Sequence, residues 1–383
     1  MDEPAYYTQT DCDLDAFRAL TSQTLDTDQV PHATCADNNI PVYDAATLRD
    51  ALTTPKRQTL LAEWGWVLGQ GPGVFAITGA YPDTTIIDAA TTAYEAIIAE
   101  EKAQGAAQAD HFATAGNNDR VWNSLQKLCL ADPALYAHYF GNPFLAAASE
   151  AWLGPGYQMT AQINVVRPGG KAQEAHRDYH LGFQSADIAA RFPAHVHTLS
   201  PALTLQGAIA HCDMPVESGP TKLLPYSQLY RPGYMAYRLP EFRAYFEGAY
   251  VQRPLTKGDL LFFNPALFHG AGDNRSAGIQ RLANLVQVSS AMGRAMETID
   301  RTAMCAALYP ALQDANLTPL EQSAAIAATA EGYAFPTNLD RDPPVGGLAP
   351  ETQAALMHRA LATDMDAQTF QTELTAHAAR RQP

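Results

Sequence analysis

The hydrophobic pattern along the chain changes character twice. Up to about residue 65 the sequence is polar and mixed, and it predicts one helix, over residues 50–66. The apolar run GPGVFAITG then predicts a strand. Residues 83–102 carry isoleucines, alanines and a tyrosine at helical spacing behind Asp83, a residue type that caps helix starts. The following segment, HFATAGNNDRVWNSLQKL, is predicted to be a polar loop.

The middle of the chain, residues 157–290, has the pattern of strands. Runs of β-branched and aromatic residues are separated by turns such as RPGG, VESGP and TKGD. Many short strands without intervening helices predict a sandwich or barrel, and a jelly roll is the expected form. Beyond residue 290 the helical pattern returns: TPLE, which starts at Thr318, has the form of a capping box, and residues 350–362 predict another helix.

These patterns together predict a mainly β core with flanking helices. We expect an N-terminal lead-in packed on the core over residues 1–65, a jelly-roll domain over residues 66–290 and a C-terminal helical extension over residues 291–383. A hydrophobic content of 47% with only 17% charged residues is typical of such a globular protein.

Charge and cysteine usage narrow the classes of partner. The formal net charge of −15 disfavours nucleic acid and anionic membrane surfaces, because both bind basic faces. The five cysteines are scattered singly, which predicts neither a disulfide framework nor a zinc site. The acidic start of the sequence and its short apolar runs predict a cytoplasmic protein without a membrane partner. We therefore expect a small-molecule substrate, and no oligomeric state is predicted.

Two His-x-Asp triplets are candidates for a metal site. With 11 histidines and 40 acidic residues in 383 positions, chance alone gives about one such triplet, so the surroundings must decide. The first pair, His176 and Asp178, follows a strand and a glycine turn, and residues two apart in an extended segment point the same way. The second pair, His211 and Asp213, ends a continuous apolar strand and opens a turn, which favours a structural role.

The third candidate ligand is His269, which follows the strand LLFF and is flanked by glycines that allow close approach to the backbone. One carboxylate and two imidazoles form the ligand set of nonhaem Fe(II) oxygenases, which leaves positions for a chelating cosubstrate and O2. Arg281 begins the strand RLANLVQVSS and shares a face with small residues. A buried guanidinium needs an anion, which the distal carboxylate of 2-oxoglutarate would supply. Arg275, in a glycine-rich loop, is the competing arginine.

Three blocks of sequence carry a resemblance to a known family. QEAHRDYHLGF, ESGPTKLLPYSQLYRPG and KGDLLFFNPALFHGAGDNRS with a trailing arginine resemble, in order and spacing, the phytanoyl-CoA dioxygenase family of 2-oxoglutarate oxygenases over residues 74–290. The resemblance implies a double-stranded β-helix core with Fe(II) on His176, Asp178 and His269 and 2-oxoglutarate on Arg281. The chain departs from the family at two places. It has PYSQ where a block like PGSH is usual, and Arg281 lies about one residue further from His269 than the corresponding arginine usually does.

Further residues are weaker candidates. By resemblance, Gln162, Asn164 and Thr204 are candidates to contact 2-oxoglutarate, although an interior polar role for them, and for Gln206 on the same face as Thr204, is an equal alternative. Side chains near the metal motif are candidates to line a substrate pocket, with packing as the alternative: Tyr179, His180, Trp122 and Asn123. The pair His195 and His197 has no accompanying carboxylate or cysteine and is interpreted as surface histidines.

The expected reaction is hydroxylation of an unactivated C–H bond with release of succinate and CO2. By resemblance to related halogenases, a small residue in place of Asp178 would leave a position for halide, so the aspartate favours hydroxylation. Desaturation, ring closure and epoxidation use the same cofactor site and stay open. The rivals from other classes are a cupin-like metalloenzyme that works without 2-oxoglutarate and a binding protein with an inactive oxygenase fold.

Overall fold

The computed structural model describes residues 4–104 and 118–383. Within these ranges the chain forms eleven strands: β1 (Cys35–Asp37), β2 (Ile40–Asp44), β3 (Val74–Thr78), β4 (Asn118–Val121), β5 (Gln158–Val166), β6 (Thr204–Ala210), β7 (Lys222–Leu224), β8 (Val251–Gln252), β9 (Leu260–Phe263), β10 (Phe268–Gly270) and β11 (Arg281–Ser289).

The same ranges contain fifteen α-helices and several short 3-10 helices. The α-helices are α1 (Leu14–Thr21), α2 (Ala45–Leu48), α3 (Lys56–Gly69), α4 (Thr85–Ala103), α5 (Ser124–Ala131), α6 (Pro133–Phe140), α7 (Pro143–Leu153), α8 (Ala186–Ala189), α9 (Ala194–Ala202), α10 (Gly233–Ala236), α11 (Pro240–Ala249), α12 (Arg301–Asp314), α13 (Pro319–Thr329), α14 (Gln353–Ala362) and α15 (Ala367–Arg381). The 3-10 helices cover Gln9–Asp11, Thr27–Gln29, Asp50–Thr53, His180–Phe183, Val216–Ser218 and Ser227–Leu229.

The strands form two sheets. The large sheet has eight strands in the order β1-β2-β3-β9-β6-β11-β5-β4, and the small sheet has three in the order β10-β7-β8. All pairs are antiparallel except β2 with β3. The long strand β11 pairs with β5 on one side and β6 on the other, so these three strands are adjacent in the large sheet, near its β4 edge. This is the predicted mainly β core with flanking helices.

The two faces of the large sheet have different surroundings. On β11, Leu282 and Val288 belong to the main hydrophobic core, which also contains Trp64 of α3 and Phe144 of α7. The alternate residues of the same strand line a cavity on the opposite face: Arg281, Ala283, Leu285 and Gln287. The period of two read from RLANLVQVSS therefore assigns the faces of the strand as expected.

Several predicted elements are present. The strand in GPGVFAITG is β3, the helix behind Asp83 is α4, and Asp83 accepts a hydrogen bond from Thr85 N at 3.0 Å. Thr318 and Glu321 form the predicted capping box at the start of α13, and the helix expected over residues 350–362 is α14. None of the helices in the two described ranges is both long and apolar enough to span a bilayer.

Two expectations about local structure are wrong. The segment 157–290 does contain helices between its strands, α8 to α11. In α11, Phe242 and Phe246 are four residues apart, so both lie on one helical face, which is buried. The segment predicted as a polar loop contains β4 and α5, while residues 111–117 lie outside the described residues. The polar strand β4 is stabilised by pairing with β5, and α5 by burial of Leu125, Leu128 and Cys129.

The terminal parts of the chain pack against the core. The lead-in contributes β1 and β2, an edge of the large sheet that its polar composition did not predict. The C-terminal helices pack on the helical layer, where α12 contacts α5 and α6. The division into residues 1–65, 66–290 and 291–383 stays a prediction.

The close packing of the large sheet is testable at Gly207, in β6. A Cβ atom there would lie 2.6 Å from Cδ1 of Phe262 and 2.9 Å from Cγ2 of Val286. We expect Gly207→Ala to lower the free energy of unfolding by about 1–3 kcal/mol, since an added methyl group displaces packed neighbours. Urea unfolding measures this. Gly248→Ala in α11 is the control: the described residues leave open space there, and we expect no loss of stability. A Gly207→Ala variant as stable as the parent would contradict the packing.

Candidate metal centre and cosubstrate pocket

Two backbone hydrogen bonds bring together histidines that are distant in sequence. His176 N donates to His269 O at 3.0 Å and His269 N donates to His176 O at 3.2 Å, which forms an antiparallel bridge. Asp178 N donates to Pro265 O at 2.9 Å. The segment that follows β5 therefore runs alongside β10, and the three predicted ligands meet in one place.

The three side chains present suitable atoms to one point. Their ligand atoms all lie within 4.8 Å of one another, with Nε2 of His176 3.6 Å and Nε2 of His269 3.4 Å from the carboxylate of Asp178. The Nδ1 atoms lie 2.9 Å from Glu174 O and 2.8 Å from Leu267 O. These carbonyls favour the tautomer with a proton on Nδ1, which leaves the Nε2 lone pairs available. The set fits a divalent metal that takes nitrogen and oxygen ligands.

The charges of this cluster interact strongly. Burial disfavours the ionised carboxylate of Asp178, but His176 and His269 outweigh burial and hold its pKa well below the ordinary value. Burial lowers the pKa of His176, and Asp178 reverses this, so the net change is upward. For His269, burial and the neighbouring His176 prevail and the pKa falls. The carboxylate is therefore ionised at neutral pH, as a metal ligand must be.

Arg177, between the two ligands of the first triplet, anchors their segment. Its buried guanidinium donates to Ser227 O at 2.6 Å and to Tyr230 O at 2.8 Å. A side chain at Gly233 would overlap this guanidinium, so glycine makes the room for it. Tyr179, which follows Asp178, has φ 60° and ψ 152°, a conformation that costs about 1–3 kcal/mol for a non-glycine residue. Anchored neighbours hold the segment in this strained form.

One cavity of about 540 Å³ contains both the triad and Arg281. Its walls come from β5, β6 and β11 of the large sheet and from His269 of the small sheet, so it lies between the two sheets. This is where a jelly roll places its site. The cavity is large enough for a small organic ligand beside a metal.

Arg281 is a buried cation within this cavity. Its side chain is 7% exposed, and Nη1 donates to Ser218 O at 3.3 Å. No carboxylate of the described residues forms an ion pair with it. Burial lowers its pKa to about 10, with a smaller opposite effect from Cys212, so the guanidinium stays charged at neutral pH. A buried charge of this kind requires an anion. The distal carboxylate of 2-oxoglutarate fits that requirement.

The second triplet has structural contacts. His211 Nδ1 lies 2.8 Å from Thr91 Oγ1, and Nε2 lies 2.6 Å from Tyr139 OH. Burial lowers the pKa of His211 to about 3, so the ring is neutral. Asp213 accepts a hydrogen bond from Lys257 N at 3.0 Å. Both ring nitrogens of His211 are thus engaged, and the residue is not free to bind a metal.

The other predicted residues divide between the cavity and its surroundings. Gln162, Asn164 and Trp122 line the cavity. Thr204 does not, because it pairs with Ser289 at the far end of β11, beyond the cavity wall. The competing arginine and three substrate-pocket candidates are also outside the lining: Arg275, which is exposed, and Tyr179, His180 and Asn123.

The interpretation of His195 and His197 as surface histidines is wrong for His197. His195 is exposed, but His197 is buried in α9, with Nε2 3.1 Å from Ala189 O and its ring 5.3 Å from that of Tyr7. The helix that turns this residue inward, α9, was not predicted. Neither histidine belongs to a metal-binding group among the described residues.

Some residues of the cavity were not predicted. Arg120 of β4 lines it and donates from Nη1 to Gln162 Oε1 at 2.9 Å, and its guanidinium lies 5.2 Å from the Trp122 ring. Phe183, half exposed, and Tyr237, buried, also line the cavity. Phe183 lies five residues after Asp178, in the block HLGF. This closeness to the first triplet could have identified it as a cavity residue. Arg120 carried no signal because β4 was not predicted.

Comparison with known proteins agrees with the class that this fold and site define, the nonhaem iron and 2-oxoglutarate oxygenases. The sequence model of the phytanoyl-CoA dioxygenase family (PhyH) matches residues 70–283, more than half of the chain. The chain belongs to the phytanoyl-CoA dioxygenase family. The double-stranded β-helix core and the cofactors, Fe(II) and 2-oxoglutarate with O2, follow from this membership and confirm the prediction.

Individual relatives are more distant. Dioxygenase trt7 of Aspergillus terreus (strain NIH 2624 / FGSC A1156) is 26% identical over 138 residues, which cover 36% of this chain and 41% of that protein. The chain thus spans less than half the length of this curated relative. Among solved structures, the nonheme alpha ketoglutarate dependent epimerase SnoN from nogalamycin biosynthesis is 19% identical with a TM-score of 0.41, and covers 65% of this chain and 82% of its own. The carbocyclase SnoK is 21% identical with a TM-score of 0.43, and the match covers 60% of this chain and 83% of SnoK.

The two triplets can be separated by metal binding. We expect His176→Ala to abolish stoichiometric Fe(II) binding, because it removes one of three converging ligands. His211→Gln, which keeps a polar side chain in its buried position, should bind Fe(II) like the parent. Anaerobic equilibrium dialysis with metal analysis measures both. Iron retained in His176→Ala and lost in a folded His211→Gln would reverse the assignment.

Proposed function

We propose that this enzyme hydroxylates an unactivated C–H bond of a small-molecule substrate, with His176, Asp178 and His269 as the iron ligands. The observation that carries the proposal is that one cavity contains both a His-Asp-His cluster with an ionised carboxylate and a buried arginine that forms no ion pair with a carboxylate of the described residues. A metal explains the first and a dicarboxylate cosubstrate explains the second. Neither feature alone would distinguish an oxygenase from another metalloprotein.

Each residue has a role that its position supports. Nε2 of His176, Nε2 of His269 and one oxygen of Asp178 would hold Fe(II), and Arg281 would bind the distal carboxylate of 2-oxoglutarate through its guanidinium. Gln162 and Asn164, on the cavity side of β5, would contact the cosubstrate. Bound iron and 2-oxoglutarate would supply the oxidation, in which O2 converts the substrate C–H to C–OH while 2-oxoglutarate becomes succinate and CO2.

Asp178 supports hydroxylation as the outcome. Its carboxylate would occupy the ligand position that a halide would need, and its ionised state would make it a strong ligand. Trp122, Phe183 and Tyr237 also line the cavity, which suits a substrate with apolar surface. The small-molecule substrate and the cytoplasmic setting predicted from the sequence are retained as parts of this proposal.

The reaction type is testable with isotope-labelled oxygen. A metabolite panel assayed for substrate-stimulated succinate formation would first identify a substrate. We then expect the product to gain one oxygen atom from 18O2, diluted by any exchange with water, and one succinate to form per turnover. Mass spectrometry measures both. A product that has lost two hydrogens without gaining oxygen would make the enzyme a desaturase or cyclase, and turnover without succinate would exclude the oxygenase altogether.

The role of Arg281 is testable by cosubstrate affinity. We expect Arg281→Ala to bind 2-oxoglutarate at least about a hundredfold more weakly while keeping Fe(II), because loss of one partner of a buried ion pair costs about 3–5 kcal/mol. Anaerobic titration of the metal-to-ligand charge-transfer band measures this affinity. Arg275→Ala is the matched control, with expected affinity close to the parent. The assignment fails if Arg275→Ala is the sensitive variant or if neither change matters.

A further inference from the structure

The carboxylate of Asp178 has one neutral hydrogen-bond donor from the large sheet. Nε2 of Gln206 donates a short hydrogen bond to Oδ2 of Asp178. Gln206 is buried in β6, which lies between β9 and β11 in the large sheet, whereas Asp178 lies outside the named strands and helices. The contact therefore joins a rigid strand to a ligand on a connecting segment.

The orientation of the Gln206 amide is determined by this contact. Its carbonyl oxygen, Oε1, is buried without a hydrogen-bond partner among the described residues. An amide turned the other way would place this oxygen against the ionised carboxylate of Asp178, which is repulsive. The protein therefore leaves one buried acceptor unsatisfied, which is unfavourable, while the donor reaches Asp178.

The neighbouring glutamine provides a contrast. Gln287 of β11 lies directly opposite Gln206 in the strand register and lines the same cavity. Its Oε1 accepts a hydrogen bond from Gln162 Nε2 at 3.0 Å, and no hydrogen bond among the described residues joins it to Asp178. Two residues of the same type, similar burial and adjacent position thus differ in whether they contact the candidate ligand.

From this contrast we infer that Gln206 is a positioning residue for the metal centre. Its hydrogen bond to Oδ2 of Asp178, the oxygen 3.4 Å from His269 Nε2, restricts how the carboxylate can turn, and Oδ1, 3.6 Å from His176 Nε2, is the oxygen offered to iron. The inference rests on the proposed function. A carboxylate with one oxygen held would bind the metal through the other, and would not turn to bind through both. Binding through one oxygen preserves the open positions that a chelating cosubstrate and O2 require. Partners of this kind typically change metal affinity about 10–100-fold.

The test compares Gln206→Met with the matched control Gln287→Met. Both replace a buried glutamine of the same cavity wall by an unbranched apolar side chain. We expect Gln206→Met to bind Fe(II) about 10–100-fold more weakly than the parent, and Gln287→Met to bind it like the parent. Competition with a chromophoric chelator under anaerobic conditions measures these affinities. The metal-free melting temperature of each variant establishes that it is folded, and Gln206→Asn, whose amide is one methylene too short, replaces Gln206→Met if that variant does not fold.

A second readout separates positioning from general damage. At saturating Co(II), the visible d–d spectrum reports the geometry of the ligands, and we expect it to change in Gln206→Met and to stay unchanged in Gln287→Met. Parent-like affinity and spectrum in Gln206→Met would overturn the inference, as would equal losses in both variants. If the parent protein itself binds no Fe(II) at one equivalent, the proposed function fails and the inference with it, so the two failures are distinguishable.

Discussion

The reciprocal pair of backbone hydrogen bonds between His176 and His269 is the constraint on which the site depends. The two histidines are far apart in the chain, and their rings come within 4.4 Å of one another, measured between centroids, only because the segment after β5 is joined to β10 there. Asp178 follows two residues later on the same side. Backbone pairing thus sets the spacing of all three side chains, and the anchored Arg177 keeps the segment from moving away.

A second constraint is electrostatic. The cavity contains an ionised carboxylate and a guanidinium that do not pair with each other among the described contacts, and burial makes each costly without a partner. In the proposed enzyme the metal neutralises the carboxylate and the cosubstrate neutralises Arg281. Binding of the two ligands would then remove the main electrostatic cost of the cavity, and the apolar wall at Trp122 and Phe183 would be left for the substrate.

Much of this arrangement could be predicted because it depends on local patterns. The alternation in β11 assigned the face of Arg281, and the spacing of two residues placed His176 beside Asp178. The second triplet lies at the end of an apolar strand, which indicated a structural role, and His211 has both ring nitrogens in hydrogen bonds. In each case the information lies within a few residues of the side chain concerned.

The remainder depends on contacts between distant segments. Strand β4 is polar and exists because it pairs with β5, so Arg120 could not be placed in the cavity from its own sequence. Thr204 and Gln206 share a face of β6, yet only Gln206 reaches the cavity, because the depth of the wall depends on neighbouring strands. His197 is turned inward by α9, a short helix in a segment that was predicted to consist of strands. A hydrophobic pattern with a period of two or of 3.6 residues assigns residues to a face of a strand or helix. It does not identify the segments against which that face packs.

The most direct test of the account is an anaerobic crystal structure of the protein with Fe(II) and 2-oxoglutarate, with iron located by anomalous scattering. The account predicts one iron within bonding distance of His176 Nε2, His269 Nε2 and one oxygen of Asp178, and the distal carboxylate of 2-oxoglutarate on the guanidinium of Arg281. Iron bound elsewhere, or the distal carboxylate on Arg275, would contradict it.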